Sequence, residues 1–158
     1  MRRAQGRRLL TAPPIVVGYD GSDASEAALG RAIDEARSAG AQLVVVSVAP
    51  MPLDAAGPMS FGTLGDGFAT PLPLVEPPEL DAVISAAAER IDAASVQADY
   101  VLETGDPAGA ILREARERGA AAIVVGHGHH SRLGRWLGTD IAAEVERDAG
   151  CRVIVVEP

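Results

Sequence analysis

The sequence predicts an α/β fold, a doubly wound sheet of five parallel strands with four helices. Three observations carry that reading. Five short apolar runs are rich in β-branched residues and nearly continuous rather than alternating, as strands buried on both faces of a parallel sheet are. Stretches of helical period occupy the four intervals between them. Cap and turn residues bracket those stretches, giving the order β-α-β-α-β-α-β-α-β.

The first run is residues 15–19, closed by Asp20-Gly21-Ser22. Asp23 and Glu26 then stand at capping-box spacing, with Ser22 and Ser25 also competent caps. Ala28, Leu29, Ala32, Ile33 and Ala36 repeat at helical spacing up to Gly40, which reads as the glycine past a helix end. The second strand is residues 43–48, closed by Ala49-Pro50. Leu80, Val83, Ile84, Ala87, Ala88 and Ile91 follow one helical face without a miss. A third, weaker strand covers 98–103. Pro107 opens a third helix, with Ile111, Leu112 and Ala115 on one face and Gly119 beyond its end. The fourth strand is 122–125, closed by Gly126. A fourth helix is expected over Thr139–Asp148, with Ile141 and Val145 inward, and the fifth strand over Arg152–Val156.

At 158 residues the chain is one domain length. The expected organisation is a basic tail over 1–13, a single domain over 14–158, and a Pro/Gly-rich insertion over 50–78. That insertion holds seven Pro and four Gly, has no periodicity, and is expected to be mobile.

Composition excludes several functions. All 14 cationic residues are Arg. Without Lys there is no phosphate-loop lysine, kinase lysine or Schiff-base lysine. No G-x-G-x-x-G, G-x-S-x-G or H-E-x-x-H is present. The net charge is −8, and four of the arginines lie in the first eight positions, so the body is more acidic still. An acidic body is not expected to bind nucleic acid. No apolar run is long enough to cross a membrane, and no apolar h-region follows the basic start. With the single Cys151, this points to a reducing, cytoplasmic location.

Two strand-end loops remain as candidate chemistry. One is Gly18-Tyr19-Asp20-Gly21-Ser22. The other is Gly126-His127-Gly128, followed by Gly138-Thr139 at the expected start of the fourth helix. Glycines admit a phosphate close to the backbone, and a helix N-terminus aims N–H groups at it. Thr139 adds a hydroxyl, and Arg132 and Arg135 add positive charge. Asp20 is an acceptor for ribose hydroxyls or Mg²⁺. Turn chemistry alone is the alternative for the glycines, and a role as helix-one cap or turn residue the alternative for Asp20. His127, His129 and His130 share the second loop. They read as phosphate contacts, as a solvated loop or, less readily, as a metal site, since no Cys or carboxylate adjoins them. Trp136 is expected to pack beneath the loop.

At these residues the chain resembles the universal stress protein family, over 14–49 and roughly 79–158. Asp20-Gly21-Ser22-x-x-Ser25-x-x-Ala28-Leu29 matches the family's D-G-S-x-x-S-x-x-A-L signature. Gly105-Asp106-Pro107 resembles its G-x-P turn. Cys151-Arg152-Val153-Ile154-Val155-Val156 resembles its C-P-V-x-V-V ending, with Arg in place of Pro. The nucleotide-binding branch carries G-x-x-G, nine residues, then G-[ST]. Here nine residues separate Gly128 from Gly138-Thr139, but Gly126 and Gly128 are spaced one residue shorter.

The resemblance implies an adenine nucleotide alpha hydrolase-like sheet of order 3-2-1-4-5. It implies ATP or AMP as ligand, with or without Mg²⁺, in a stress-response sensor with no dedicated catalytic apparatus. The implied nucleotide-binding set is Gly18, Asp20, Val48, Gly105, Gly126, His127, Gly128, His129, Arg132, Gly138 and Thr139. Gly18 and Asp20 would face ribose and adenine, Val48 would offer backbone bonds to adenine, and Gly126, Gly128, Gly138 and Thr139 would hold phosphates. It also implies a homodimer through the strand Arg152–Val156. Two alternatives stay open: a family member that binds no nucleotide and works through dimerisation and partner contacts, and a slow ATP hydrolase.

Overall fold

The computed structural model describes residues 12–49, 78–127 and 140–158. The basic segment 1–11, the Pro/Gly-rich segment 50–77 and the loop 128–139 lie outside the described residues, and with them Gly128, His129, Arg132, Trp136, Gly138 and Thr139. The elements in chain order are β1 (Ala12–Gly18), α1 (Asp23–Ala39), β2 (Ala41–Ala49), α2 (Pro78–Ala93), β3 (Ala98–Thr104), α3 (Pro107–Glu117), β4 (Ala122–Gly126), α4 (Ile141–Asp148) and β5 (Arg152–Val156).

The sheet order is β3-β2-β1-β4-β5, with every adjacent pair parallel. β1 begins earlier than the apolar run predicts and includes Pro13 and Pro14, which no central strand accommodates in its ladder. The register resolves the conflict. Ala12 pairs with Ala41 and Ile15 with Leu43, so β1 spends one more residue than β2 over that interval. The two prolines fall within that irregularity.

The alternating side chains of the central strands feed two cores. Ile15, Val17, Leu43, Val45 and Val124 face Leu29, Ile33 and Ile91 of α1 and α2. Val16, Val44, Val46, Ile123 and Val125 face Ile111, Ala115 and Val145 of α3 and α4. The strands are continuous apolar runs because both faces are covered. β3 departs from that expectation. It is an edge strand, and Tyr100 and Leu102 are exposed. Arg118 of the α3 end binds it from the side, 2.9 Å from Asp99, while its Nε holds Glu114 at 2.8 Å.

The structure settles two helix starts. Ser22, not Asp23, caps α1, its hydroxyl accepting from Ser25 N–H at 3.3 Å. Glu26 is thereby released from a capping box and bonds elsewhere. The fourth helix begins at Ile141 rather than Thr139, because Asp140 caps it and accepts from Ala143 N–H at 3.2 Å. A carboxylate is the better partner for a positive helix terminus. Gly40 ends α1 at φ +60, as its position implied.

α1 lies over the β1–β4 centre only because β4 ends in glycine. A Cβ on Gly126 would sit 2.4 Å from the Ala24 carbonyl oxygen, a backbone atom that cannot turn aside. Gly126→Ala is therefore expected to lower stability by about 1–3 kcal/mol, the usual cost of overpacking. Urea unfolding checks this against Gly150→Ala, whose Cβ meets nothing within 4 Å.

Candidate functional site

Right-handed crossovers bring the carboxyl ends of all five strands to one edge. β1 pairs with β2 on one side and β4 on the other, so the chain winds away in both directions from that point. Open α/β sheets hold ligands there. Gly18 ends β1 and Gly126 ends β4.

The β1–α1 loop is held from several directions. Tyr19 N–H donates to the Val46 carbonyl at 2.9 Å, and the buried Ser47 hydroxyl donates to the Tyr19 carbonyl at 2.7 Å. Asp20 N–H reaches the Ser25 hydroxyl at 3.3 Å, and Ser22 N–H donates to Asp20 Oδ1 at 3.0 Å. That last bond closes an Asx turn, so Asp20 has the turn role that its sequence position allowed. Gly21 sits at φ +78, a region side-chain-bearing residues rarely enter. The Tyr19 ring is buried, and its hydroxyl donates to Glu26 Oε1. Burial, and then that bond to a carboxylate, pushes the phenol well above its ordinary pKa.

The other expected site residues on described elements sit as follows. Val48 is buried near the end of β2, paired with Glu103, and its side chain belongs to the α3–α4 core. Gly105 follows β3 at φ +108, its N–H donating to the Ala49 carbonyl at 3.0 Å. His127 follows β4, where its N–H holds the Val156 carbonyl at 2.7 Å. His127 Nδ1 stands 4.0 Å from Asp140 Oδ2. The fold thus gathers Gly18, Asp20, Val48, Gly105, Gly126 and His127 at one edge.

Three of these glycines also have packing or backbone reasons. Gly126 admits α1, Gly105 takes a left-handed backbone, and a Cβ on Gly18 would come within 2.7 Å of Ile111 Cδ1. Both helices that begin at this edge on the α3–α4 side carry their own carboxylate caps, Asp106 on Gly109 N–H at 3.1 Å and Asp140 on Ala143 N–H. Neither offers the bare N-terminus that the sequence reading placed at Gly138-Thr139. Among the described residues no three carboxylate, imidazole or thiol groups converge to hold a metal ion.

The sequence reading gave Ser47 and Asp140 no role, took Tyr19 only as part of the loop and took Glu26 only as a capping residue. Ser47 was visible as the lone hydroxyl within the apolar run 43–48. Tyr19 and Glu26 had no such signal, because their bond joins a strand end to the next helix.

A model of the universal stress protein family matches residues 12–157. The chain belongs to the universal stress protein family. A universal stress protein crystallised in complex with cAMP is 26% identical, with a TM-score of 0.63 over 92% of this chain and 96% of that chain. A universal stress protein from Archaeoglobus fulgidus in complex with dAMP is 28% identical, with a TM-score of 0.61 over 90% of this chain and 95% of that one. A family protein from Burkholderia pseudomallei is also 28% identical, with a TM-score of 0.61 over 92% and 96%. No curated protein sequence matches the chain. No helix among the described residues of this universal stress protein is long and apolar enough to cross a membrane.

The buried Tyr19 phenol makes a pH prediction. The folded state holds its proton more tightly than the unfolded chain does. Its contribution to stability is complete below the unfolded tyrosine value, about pH 10, and is lost as pH rises above it. Urea midpoints measured from pH 8 to 11 are expected to fall across that window, and to fall less steeply in Tyr19→Phe.

Proposed function

We propose that this universal stress protein binds an adenine nucleotide, ATP or AMP, at the edge between β1 and β4, and acts as a cytoplasmic sensor or regulator of the stress response without enzymatic turnover. The observation that carries the proposal is the braced Asp20 loop at the point where the sheet winds both ways. Its support from outside the chain is that two relatives above 25% identity were crystallised with cAMP and dAMP.

In this reading Asp20 holds ribose hydroxyls through Oδ2, since Oδ1 is occupied by Ser22 N–H. Gly18, Gly105 and the Val48 backbone border the adenine. Gly126, His127, Gly128, His129, Arg132, Gly138 and Thr139 attend the phosphates. Because Asp140 already caps α4, phosphate is held by the loop before it rather than by the helix terminus. Mg²⁺, where present, travels with the nucleotide phosphates.

Calorimetric titration of ATP and AMP into wild type, Asp20→Ala and Gly138→Val tests the site. Wild type is expected to bind, and each variant to lose about 1–3 kcal/mol, the value of charge-assisted hydrogen bonds. Absence of wild-type binding at millimolar nucleotide favours a family member that works through partner contacts alone.

We also propose a homodimer through β5. It is an edge strand whose Val153, Ile154, Val155 and Val156 are only half-buried, and an apolar edge is an aggregation hazard unless paired. Two-fold pairing of β5 with its copy covers it. Sedimentation equilibrium at tens of micromolar is expected to give a dimer, and a lone monomer rejects it.

A further inference from the structure

We infer that Arg90 of α2, through Glu26, and Tyr19 are positioning residues for the Asp20 loop, so that the seating of α2 sets how Asp20 is presented; the consequence for ligand binding rests on the nucleotide reading above. The argument starts from the buried phenol. Tyr19 is 3% exposed, and a hydroxyl at that depth needs a partner. Its partner is Glu26 Oε1. Glu26 lies in the first turn of α1 on a flexible stem, and by itself would be free to swing to solvent. Arg90 removes that freedom. Its Nη1 donates to Glu26 Oε2 and, at 3.2 Å, to the Glu26 carbonyl, fixing side chain and backbone together.

The arrangement has been given room. Gly30, one turn further along α1, carries no side chain where a Cβ would stand 3.3 Å from Arg90 Nη2. A second contact comes from the same helix. Val83 of α2 packs beneath Gly21, where even a Cβ would approach its Cγ2 to 3.2 Å. α2 therefore touches the loop at Gly21, and touches the carboxylate that anchors the residue before Asp20. A surface ion pair between residues this exposed contributes little to global stability. Its effect is local, because the carboxylate it restrains serves a buried group.

Tyr19 itself is fixed at its N–H, its carbonyl and its hydroxyl, by β2 twice and by Glu26 once. Releasing the hydroxyl leaves the strand bonds intact and frees the ring to move with the loop. The perturbation should appear at Asp20 and Ser22, and not in the sheet.

The test uses the full chain as Arg90→Ala, Arg90→Lys and Tyr19→Phe. Amide hydrogen exchange is read at Asp20 and Ser22, with Val16 and Val124 as sheet controls. Arg90→Ala and Tyr19→Phe are expected to speed exchange at Asp20 and Ser22 about tenfold, the scale of one lost hydrogen bond to a charged group. The sheet controls should be unchanged, and Arg90→Lys, which keeps a cation on Glu26, should stay near wild type. Unchanged loop exchange in Arg90→Ala, or acceleration spread equally over the sheet, overturns the inference. The second readout is the affinity ratio of AMP to 2′,3′-dideoxy-AMP. It should fall toward one in Arg90→Ala, because ribose hydroxyls are what Asp20 reads. A wild-type ratio retained in Arg90→Ala also overturns the inference. If wild type binds neither nucleotide, the nucleotide reading fails, and the exchange result alone decides whether α2 braces the loop.

Discussion

Everything at the carboxyl edge depends on how closely the first turn of α1 can approach the end of β4. The Ala24 carbonyl lies where any side chain at Gly126 would have to be. Because that position is glycine, α1 settles over β1 and β4 and buries Ala28, Leu29 and Ala32 completely. The short β1–α1 loop is then drawn down onto the sheet edge. Its residues have little latitude, and the bonds that hold them follow from that position. A bulkier residue at 126 would lift the helix start and carry the Asp20 loop away with it.

The same edge is built largely from groups that satisfy one another. Asp106 and Asp140 cap α3 and α4, Ser22 caps α1, and Asp20 closes its own turn. Such economy is what a buried or half-buried polar rim requires, since each orphaned N–H costs about 1–3 kcal/mol. It also limits where an anion is welcome. A helix terminus already occupied by a carboxylate repels a phosphate. By sequence, Arg132 and Arg135 lie between β4 and α4.

The absence of Lys gives the surface a particular character. Every cation that ties elements together is a guanidinium, which bonds two acceptors from one planar group. Arg118 spans Asp99 and Glu114, and Arg90 spans the Glu26 carboxylate and carbonyl. Arg152 reaches Glu35, which also holds Arg31, and so links β5 to α1. These bridges join an edge strand or an outer helix to a neighbouring helix at the periphery of the fold, where hydrophobic burial is thinnest.

Much of this was legible in the linear sequence. Continuous β-branched runs fixed five parallel strands because strands covered on both faces need apolar side chains on both. Helical spacing and the Asp20-Gly21-Ser22 signature placed four helices and one site loop, because caps and turns act within a few residues of each other. Tertiary structure decided the rest. It assigned the α1 cap to Ser22 and turned Glu26 toward Tyr19 and Arg90, a partner 64 positions away. It moved the start of α4 to Ile141 and gave its terminus to Asp140. It let two prolines into a central strand through a one-residue irregularity. Gly126 read locally as a phosphate glycine, but packing shows a second demand on it, from a helix more than 80 residues earlier. The division has one physical cause. Periodicity and capping are set by neighbours along the chain, whereas close approach and bond partners depend on which surfaces the fold presses together.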